Sequence, residues 1–200
     1  MRYVEPGGPG TESGGSYVEP GGPYARLARY EDAFPGHRAE IVEGSLVLCP
    51  LRPHDNTTVW MLWAALDTQL PGEWGFISDV VVPFDDDNEF CPDLAVIPAA
   101  AADRNLSAYS PELIELVIEV VSPSSIRNDY EVKNRAYARR GIRDYLVFDP
   151  YQGHCVALRY PGPDGYLGRD TFPYGDTVPV DTRFGKLHID TVPLPVAPKA

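Results

Sequence analysis

Lysine is nearly missing from this chain: Lys133, Lys186 and Lys199 are the only three in 200 residues. The 17 Lys and Arg face 29 Asp and Glu, for a formal net charge of −12. That balance excludes a protein that coats nucleic acid or an anionic membrane by bulk charge, though not a local basic patch. Long apolar runs are absent as well; none approaches the roughly 18 residues of a membrane span. The N-terminus lacks the basic-then-apolar order of a secretory signal, so a cytoplasmic protein without membrane contact is expected. Cysteine is scarce: Cys49, Cys91 and Cys155 have no CxxC spacing, and an odd count suits reduced thiols. What is present is ordinary for one globular domain, with 44% apolar and 23% charged residues.

Glycine and proline, by contrast, are plentiful, at 18 and 21. Many fall in the first two dozen residues, where Tyr3-Val4-Glu5-Pro6-Gly7-Gly8-Pro9 recurs as Tyr17-Val18-Glu19-Pro20-Gly21-Gly22-Pro23. Such a composition supports neither helix nor packed strand, so residues 1–24 are expected to be a disordered tail. A domain over 25–195 and a short C-terminal tail over 196–200 follow.

Within the domain, residues 24–34 have the pattern of a short helix, stopped by Pro35-Gly36. Alternation around Glu43-Gly44-Ser45 predicts a hairpin of Ala39–Val42 with Leu46–Leu48. Val59, Leu62, Trp63 and Leu66 recur at helical spacing between His54 and Leu70, before Pro71-Gly72. Strands are expected at Gly75–Val82, Asp93–Ile97 and Leu113–Val121, then a helix at Asp129–Arg140 closed by Gly141. Strands at Asp144–Phe148 and Cys155–Arg159 complete the pattern, the second running into a hairpin through Pro161–Gly165. This order predicts an α/β fold, a mixed central β-sheet flanked by α-helices.

The strand Leu113–Val121 is apolar on both parities and is expected to be central in its sheet. A carboxylate inside it is costly unless paired, which singles out Glu119, next to Ser122-Pro123-Ser124. Glu115 has the same parity but could reach solvent at the other end. Asp93 opens another apolar strand after Pro92. Two buried carboxylates on neighbouring strands call for a cation or a Lys between them, and a hard divalent ion such as Mg²⁺ meets that need. Lys133 lies four residues beyond Asp129, on the same helix face.

Pro92-Asp93, Glu119-Val120-Val121-Ser122-Pro123-Ser124, Asp129, Lys133, Tyr137 and Tyr145–Pro150 together resemble the Uma-two family of restriction endonucleases, within the PD-(D/E)XK nuclease superfamily. The similarity runs from about Leu27 to Leu194. Ala39–Gly44 resembles the family's Tyr-Glu-Leu-Ile-Asp-Gly hairpin, and His54 matches a His that opens its next helix. The resemblance implies a restriction-endonuclease-like core and Mg²⁺- or Mn²⁺-dependent endonuclease activity on nucleic acid, with DNA as substrate. It makes Asp93 and Glu119 the metal ligands, Lys133 the catalytic cation, and Glu40 a further catalytic acid, Glu43 being the weaker choice. His54, Asp129 and Tyr137 would support them. The superfamily's usual Lys two residues after the second acid is replaced here by Val121; Ala39 stands for an aromatic and Ser45 for a common acid. A homodimer would suit an enzyme that cuts both strands.

Plainer readings accompany each residue. Asp93 could cap a turn, Lys133 could pair with Asp129 on the surface, and Glu40 could be solvated at a strand edge. His54 reads as an opening helix residue or hydrogen-bonding support, Asp85-Asp86-Asp87 as a solvated turn, and Trp60, Trp63 and Trp74 as core or core-edge residues. The serines at 122, 124 and 125 have no neighbouring His, which disfavours a serine hydrolase. Arg127, Lys133, Arg135, Arg139, Arg140 and Arg143 form either a phosphate-facing stripe or an ordinary charged helix face. Two other functions compete with the endonuclease: a non-catalytic nucleic-acid-binding or regulatory module that kept the fold, and a hydrolase of a small phosphodiester.

Overall fold

The computed structural model describes residues 26–27, 37–50 and 53–197. The expected tail over 1–24 and the helix over 24–34 fall outside these, apart from the short stretch at 26–27. The fold opens with a hairpin of β1 (His37–Val42) and β2 (Ser45–Pro50). Its two-residue turn puts Glu43 at φ 48° and Gly44 at φ 76°, both left-handed, as a hairpin of matching twist requires. Helix α1 (Pro53–Asp67) buries Leu62 and Leu66, one turn apart on the same face.

The single strand expected over Gly75–Val82 is two strands in different sheets: β3 (Trp74–Ile77) and β4 (Val82–Asp85). Asp79 interrupts it at φ 56°, a conformation that Asp tolerates better than most residues. Next come β5 (Asn88–Phe90), β6 (Leu94–Pro98), the short helix α2 (Ala99–Ala102) and a 3-10 turn at Pro111–Leu113. β7 (Leu116–Val120) is followed by a π-helical turn, Asn128–Val132, and α3 (Lys133–Arg139). β8 (Asp144–Asp149), β9 (His154–Gly162), β10 (Gly165–Pro173), β11 (Thr177–Thr182) and β12 (Gly185–Asp190) end the chain.

The main sheet has the order β10-β9-β8-β7-β6-β3, and a smaller one the order β2-β1-β5-β4. Every pairing in the main sheet is antiparallel except β7 with β8. Those two strands are joined by a crossover long enough to carry α3, which lets them run parallel. All residues of β7 and β8 are buried, as a strand covered on both faces demands. On one face, Ala95, Val117, Val147 and Val156 pack with α3, and with Phe84 and Phe90 of the small sheet. On the other, Leu94, Ile118 and Leu146 meet Leu62 and Leu66 of α1 and Val178, Val180, Leu187 and Ile189 of the β11–β12 hairpin.

Two other expectations are corrected. Trp60 is 68% exposed; it lies off the Leu62–Leu66 face of α1 and is no core residue. Glu115 does not reach solvent freely: it is buried and paired with Arg183 at 2.5 Å. Among the described residues, no helix is long and apolar enough to cross a membrane.

Candidate active site

β6 and β7 pair antiparallel with Leu94 opposite Ile118, so Asp93 and Glu119, one residue further out on each side, are neighbours. Their parity turns both toward the α3 face. β1 lies across that face in the smaller sheet, and Arg38 and Glu40, two residues apart, share one side of it. Helix α3 then lowers Lys133 into the gap.

The π-helical turn sets that descent. The Lys133 backbone N–H bonds to Asn128 O, five residues back instead of the usual four. The Asp129 carbonyl it bypasses accepts the Tyr145 hydroxyl at 2.8 Å. Such one-turn expansions recur at functional sites.

The resulting cluster is nearly dry. Glu40, Glu119, Asp129 and Lys133 are each at most 2% exposed, and Asp93 is 6% exposed. Lys133 Nζ lies 3.0 Å from Glu119 Oε1, 3.1 Å from Glu40 Oε1 and 3.4 Å from Asp129 Oδ1. Tyr137, one turn along α3, donates its hydroxyl to Glu119 Oε1 at 2.5 Å. Ser125 does the same for Asp129 Oδ2 at 2.5 Å, and Cys91 N–H donates to Glu40 Oε1 at 3.0 Å. Asp93 accepts the Val120 N–H on Oδ2 at 2.6 Å, and the Arg38 guanidinium bonds its Oδ1.

Four buried carboxylates therefore share two cations, and their protonation is divided accordingly. Burial pushes Asp93 up, but Arg38, Lys133 and the Val120 N–H outweigh it and hold the group below the usual carboxylate range. Burial, with the charges of Asp93, Asp129 and Glu40, drives Glu119 well above that range despite Lys133. Burial likewise raises Asp129 to about 6, against the pull of Lys133 and Ser125. Lys133 is disfavoured by burial yet held firmly charged by Glu119, Glu40 and Asp129.

Of the eight residues singled out from sequence, Glu40, Glu119 and Asp129 thus meet directly around the Lys133 ammonium, and Tyr137 joins them through Glu119. Asp93 joins them across the strand pair. Glu43 does not, because the hairpin turn carries it to the surface, where it pairs with Arg127 at 2.9 Å and Arg135 at 3.8 Å. His54 stands in the first turn of α1, with its side chain outside the described residues. Of the two readings of the basic residues, phosphate-facing stripe or ordinary charged helix face, most of the side chains already have partners within the fold: Lys133 is buried, Arg127 and Arg135 hold Glu43, and Arg140 bonds the Phe84 carbonyl. Arg38 was missed, although its spacing from Glu40 places both on one face of a strand.

The donor set suits a hard divalent cation. Glu119 Oε2 is buried without a hydrogen-bond partner, and a carboxylate lone pair in that state is an unusual cost. Among the described residues, no group of three or more His, Cys, Asp or Glu converges as a metal cage. Mg²⁺, however, is commonly held by one or two carboxylates, with water and substrate oxygens completing the shell. Asp93 and Glu119 fit that pattern.

The comparisons with known proteins agree with this fold. The model of a family, Uma2, described as "Putative restriction endonuclease", matches residues 24–194. A crystal structure described as that of a putative nuclease belonging to DUF820, from Anabaena variabilis, superposes with a TM-score of 0.54. That alignment has 17% identity and covers 71% of this chain and 80% of the other, which bears on fold alone. No curated protein matches.

Proposed function

Because the chain belongs to the Uma2 family and has a restriction-endonuclease-like fold, we propose that it is a metal-dependent endonuclease hydrolysing phosphodiester bonds of DNA. One observation carries the reading: four buried carboxylates face one buried cation, Lys133, and the partly buried Arg38, and Glu119 Oε2 has no hydrogen-bond partner. A divalent ion held by Asp93 and Glu119 would neutralise that excess. When bound, Mg²⁺ or Mn²⁺ supplies Lewis-acid polarisation of a phosphoryl oxygen and lowers the pKa of a water.

The chain's own residues do the rest. Val120 N–H fixes one oxygen of Asp93, whose other oxygen Arg38 holds, and Tyr137 fixes one oxygen of Glu119, which leaves Glu119 Oε2 as the free edge. Lys133 has three N–H donors and three carboxylate partners. In this arrangement it orients Glu119 and Glu40; it can offer a donor to an attacking water only when one carboxylate finds another partner. Asp93, the most exposed of the four acids, marks the side from which a phosphate approaches.

The test is cleavage of supercoiled plasmid with Mg²⁺ or Mn²⁺, alongside single-stranded DNA and RNA. The wild type should nick the plasmid, and Asp93→Asn and Glu119→Gln, folded by circular dichroism, should not. Cleavage by both variants at the wild-type rate, or none by the wild type with either metal, overturns the proposal. The Arg38 contact to Asp93 favours a second reading, a binding module with a self-neutralised core. That reading expects no metal uptake in a calorimeter.

A further inference from the structure

Arg38 has no part in the nuclease chemistry above, yet it bonds Asp93, one of the two residues proposed to hold the metal. Its Nη1 donates to Asp93 Oδ1 and, at 3.0 Å, to Asp79 Oδ1. The two acceptors differ in setting: the Asp93 side chain is 8% exposed and that of Asp79 51% exposed. They also sit on one rigid frame. Asp79 N–H donates to Pro92 O at 3.0 Å, and Ser78 Oγ donates to Asp93 O at 2.7 Å. These two bonds tie the turn at residues 78–79 to the segment that begins β6. An inner and an outer acceptor are thereby held at fixed separation. The Arg38 Nε is buried and lacks a hydrogen-bond partner, so the inner seat leaves the guanidinium incompletely satisfied.

A guanidinium seated on Asp93 Oδ1 and a divalent cation on the same carboxylate repel each other across a few ångströms of low-dielectric surroundings. We propose that Arg38 is the built-in counter-ion of this site: it competes with the divalent cation for Asp93 and, when displaced, pivots to Asp79 at the rim. This rests on the metal-dependent reading, and goes beyond it by making Arg38 a positioning residue that sets metal affinity. The pivot is small, because the guanidinium already bridges both carboxylates. Nor is the guanidinium left unpaired at either end, since Asp79 remains its partner when Asp93 is taken.

The experiment is calorimetric titration of the full chain with Mn²⁺ alone. Arg38→Gln, which removes the competing charge, should bind about tenfold more tightly than the wild type. Arg38→Lys, which keeps the charge, should stay near wild-type affinity. Asp79→Ala, which removes the outer seat, should bind more weakly, and its effect should shrink in the Arg38→Gln background. The Arg38 Nε–H resonance of the wild type should shift on addition of diamagnetic Mg²⁺. Should Arg38→Gln fail to fold, the Asp79→Ala affinity and the Nε–H shift decide the matter. Equal or weaker Mn²⁺ binding by folded Arg38→Gln, or an unmoved Nε–H signal at saturating Mg²⁺, overturns the counter-ion role and leaves the metal reading standing. No Mn²⁺ uptake by any of these proteins overturns both.

Discussion

Replacing Lys133 by Met keeps the length and flexibility of the side chain and removes only its charge and donors. Three carboxylates within 3.4 Å then lose their shared cation, and among the described residues Arg38 is the only other cation bonded within the cluster. Breaking a buried ion pair by deleting one partner costs about 3–5 kcal/mol. With a urea m-value of about 2 kcal/mol per molar, the unfolding midpoint should fall by about 2 M at pH 8. The sign of the pH dependence follows from the carboxylates. In the wild type burial already raises Asp129 to about 6 and drives Glu119 well above the usual carboxylate range, and losing Lys133 raises both further. A carboxyl whose folded pKa is raised contributes stability below its unfolded pKa near 4 and loses it as pH climbs through the folded value. The penalty of Lys133→Met should therefore be small at pH 5, where Glu119 and Asp129 are held toward their neutral forms, and larger at pH 8. Urea melts at the two pH values measure it, with Glu119→Gln added to Lys133→Met recovering part of the loss at pH 8. A midpoint at pH 8 indistinguishable from wild type, or an equal deficit at both pH values, would refute the account of one ammonium neutralising three acids.

Two further outcomes can be checked on the same instrument. Tyr137→Phe deletes a buried hydroxyl bonded to Glu119 Oε1 at 2.5 Å and should cost about 1–3 kcal/mol, the range for a buried acceptor that loses its donor; an unchanged midpoint would show that Glu119 does not need the donor. Asp144, at the start of β8, is raised to about 6 by burial, only partly offset by Arg143 and Arg159, and its Oδ2 has no hydrogen-bond partner. Its ionisation thus opposes folding as pH rises through about 6. Asp144→Asn should stabilise the protein by about 1–2 kcal/mol at pH 8 and by little at pH 5, and a gain independent of pH would contradict this.

The central strand was readable because five consecutive buried positions leave no polar parity, and a lone Glu119 within them stands out. Asp93 followed from the same logic one strand away. Lys133 was readable from its rarity and its spacing from Asp129, but its burial among three carboxylates was not, since an i, i+4 Asp–Lys pair is ordinarily a surface feature. Arg38 was passed over because an Arg near a strand end usually faces water; only the layering of the small sheet over the large one turns it inward. The break at Asp79 was hidden for a local reason. The apolar residues on either side of it read as one strand, and the left-handed backbone that separates them into two sheets carries no glycine to announce it. The β11–β12 hairpin alternates buried and exposed positions along both strands, the period of two that marks a half-buried strand.

The extra residue in the turn at Asn128–Val132 behaves like a tooth in a ratchet. Each residue of an α-helix advances the side chain by about 100°, so the turn cannot relax gradually toward regular α-helix. It either holds its five-residue bond to Asn128 O, with Tyr145 plugging the Asp129 carbonyl, or it slips a whole residue. A slip would swing Asp129 and Ser125 out of step with Lys133 and Tyr137 and disperse the charges together. Deleting a single residue from this turn should therefore disorganise the acids in one step, while the strands that carry Asp93 and Glu119 keep their register.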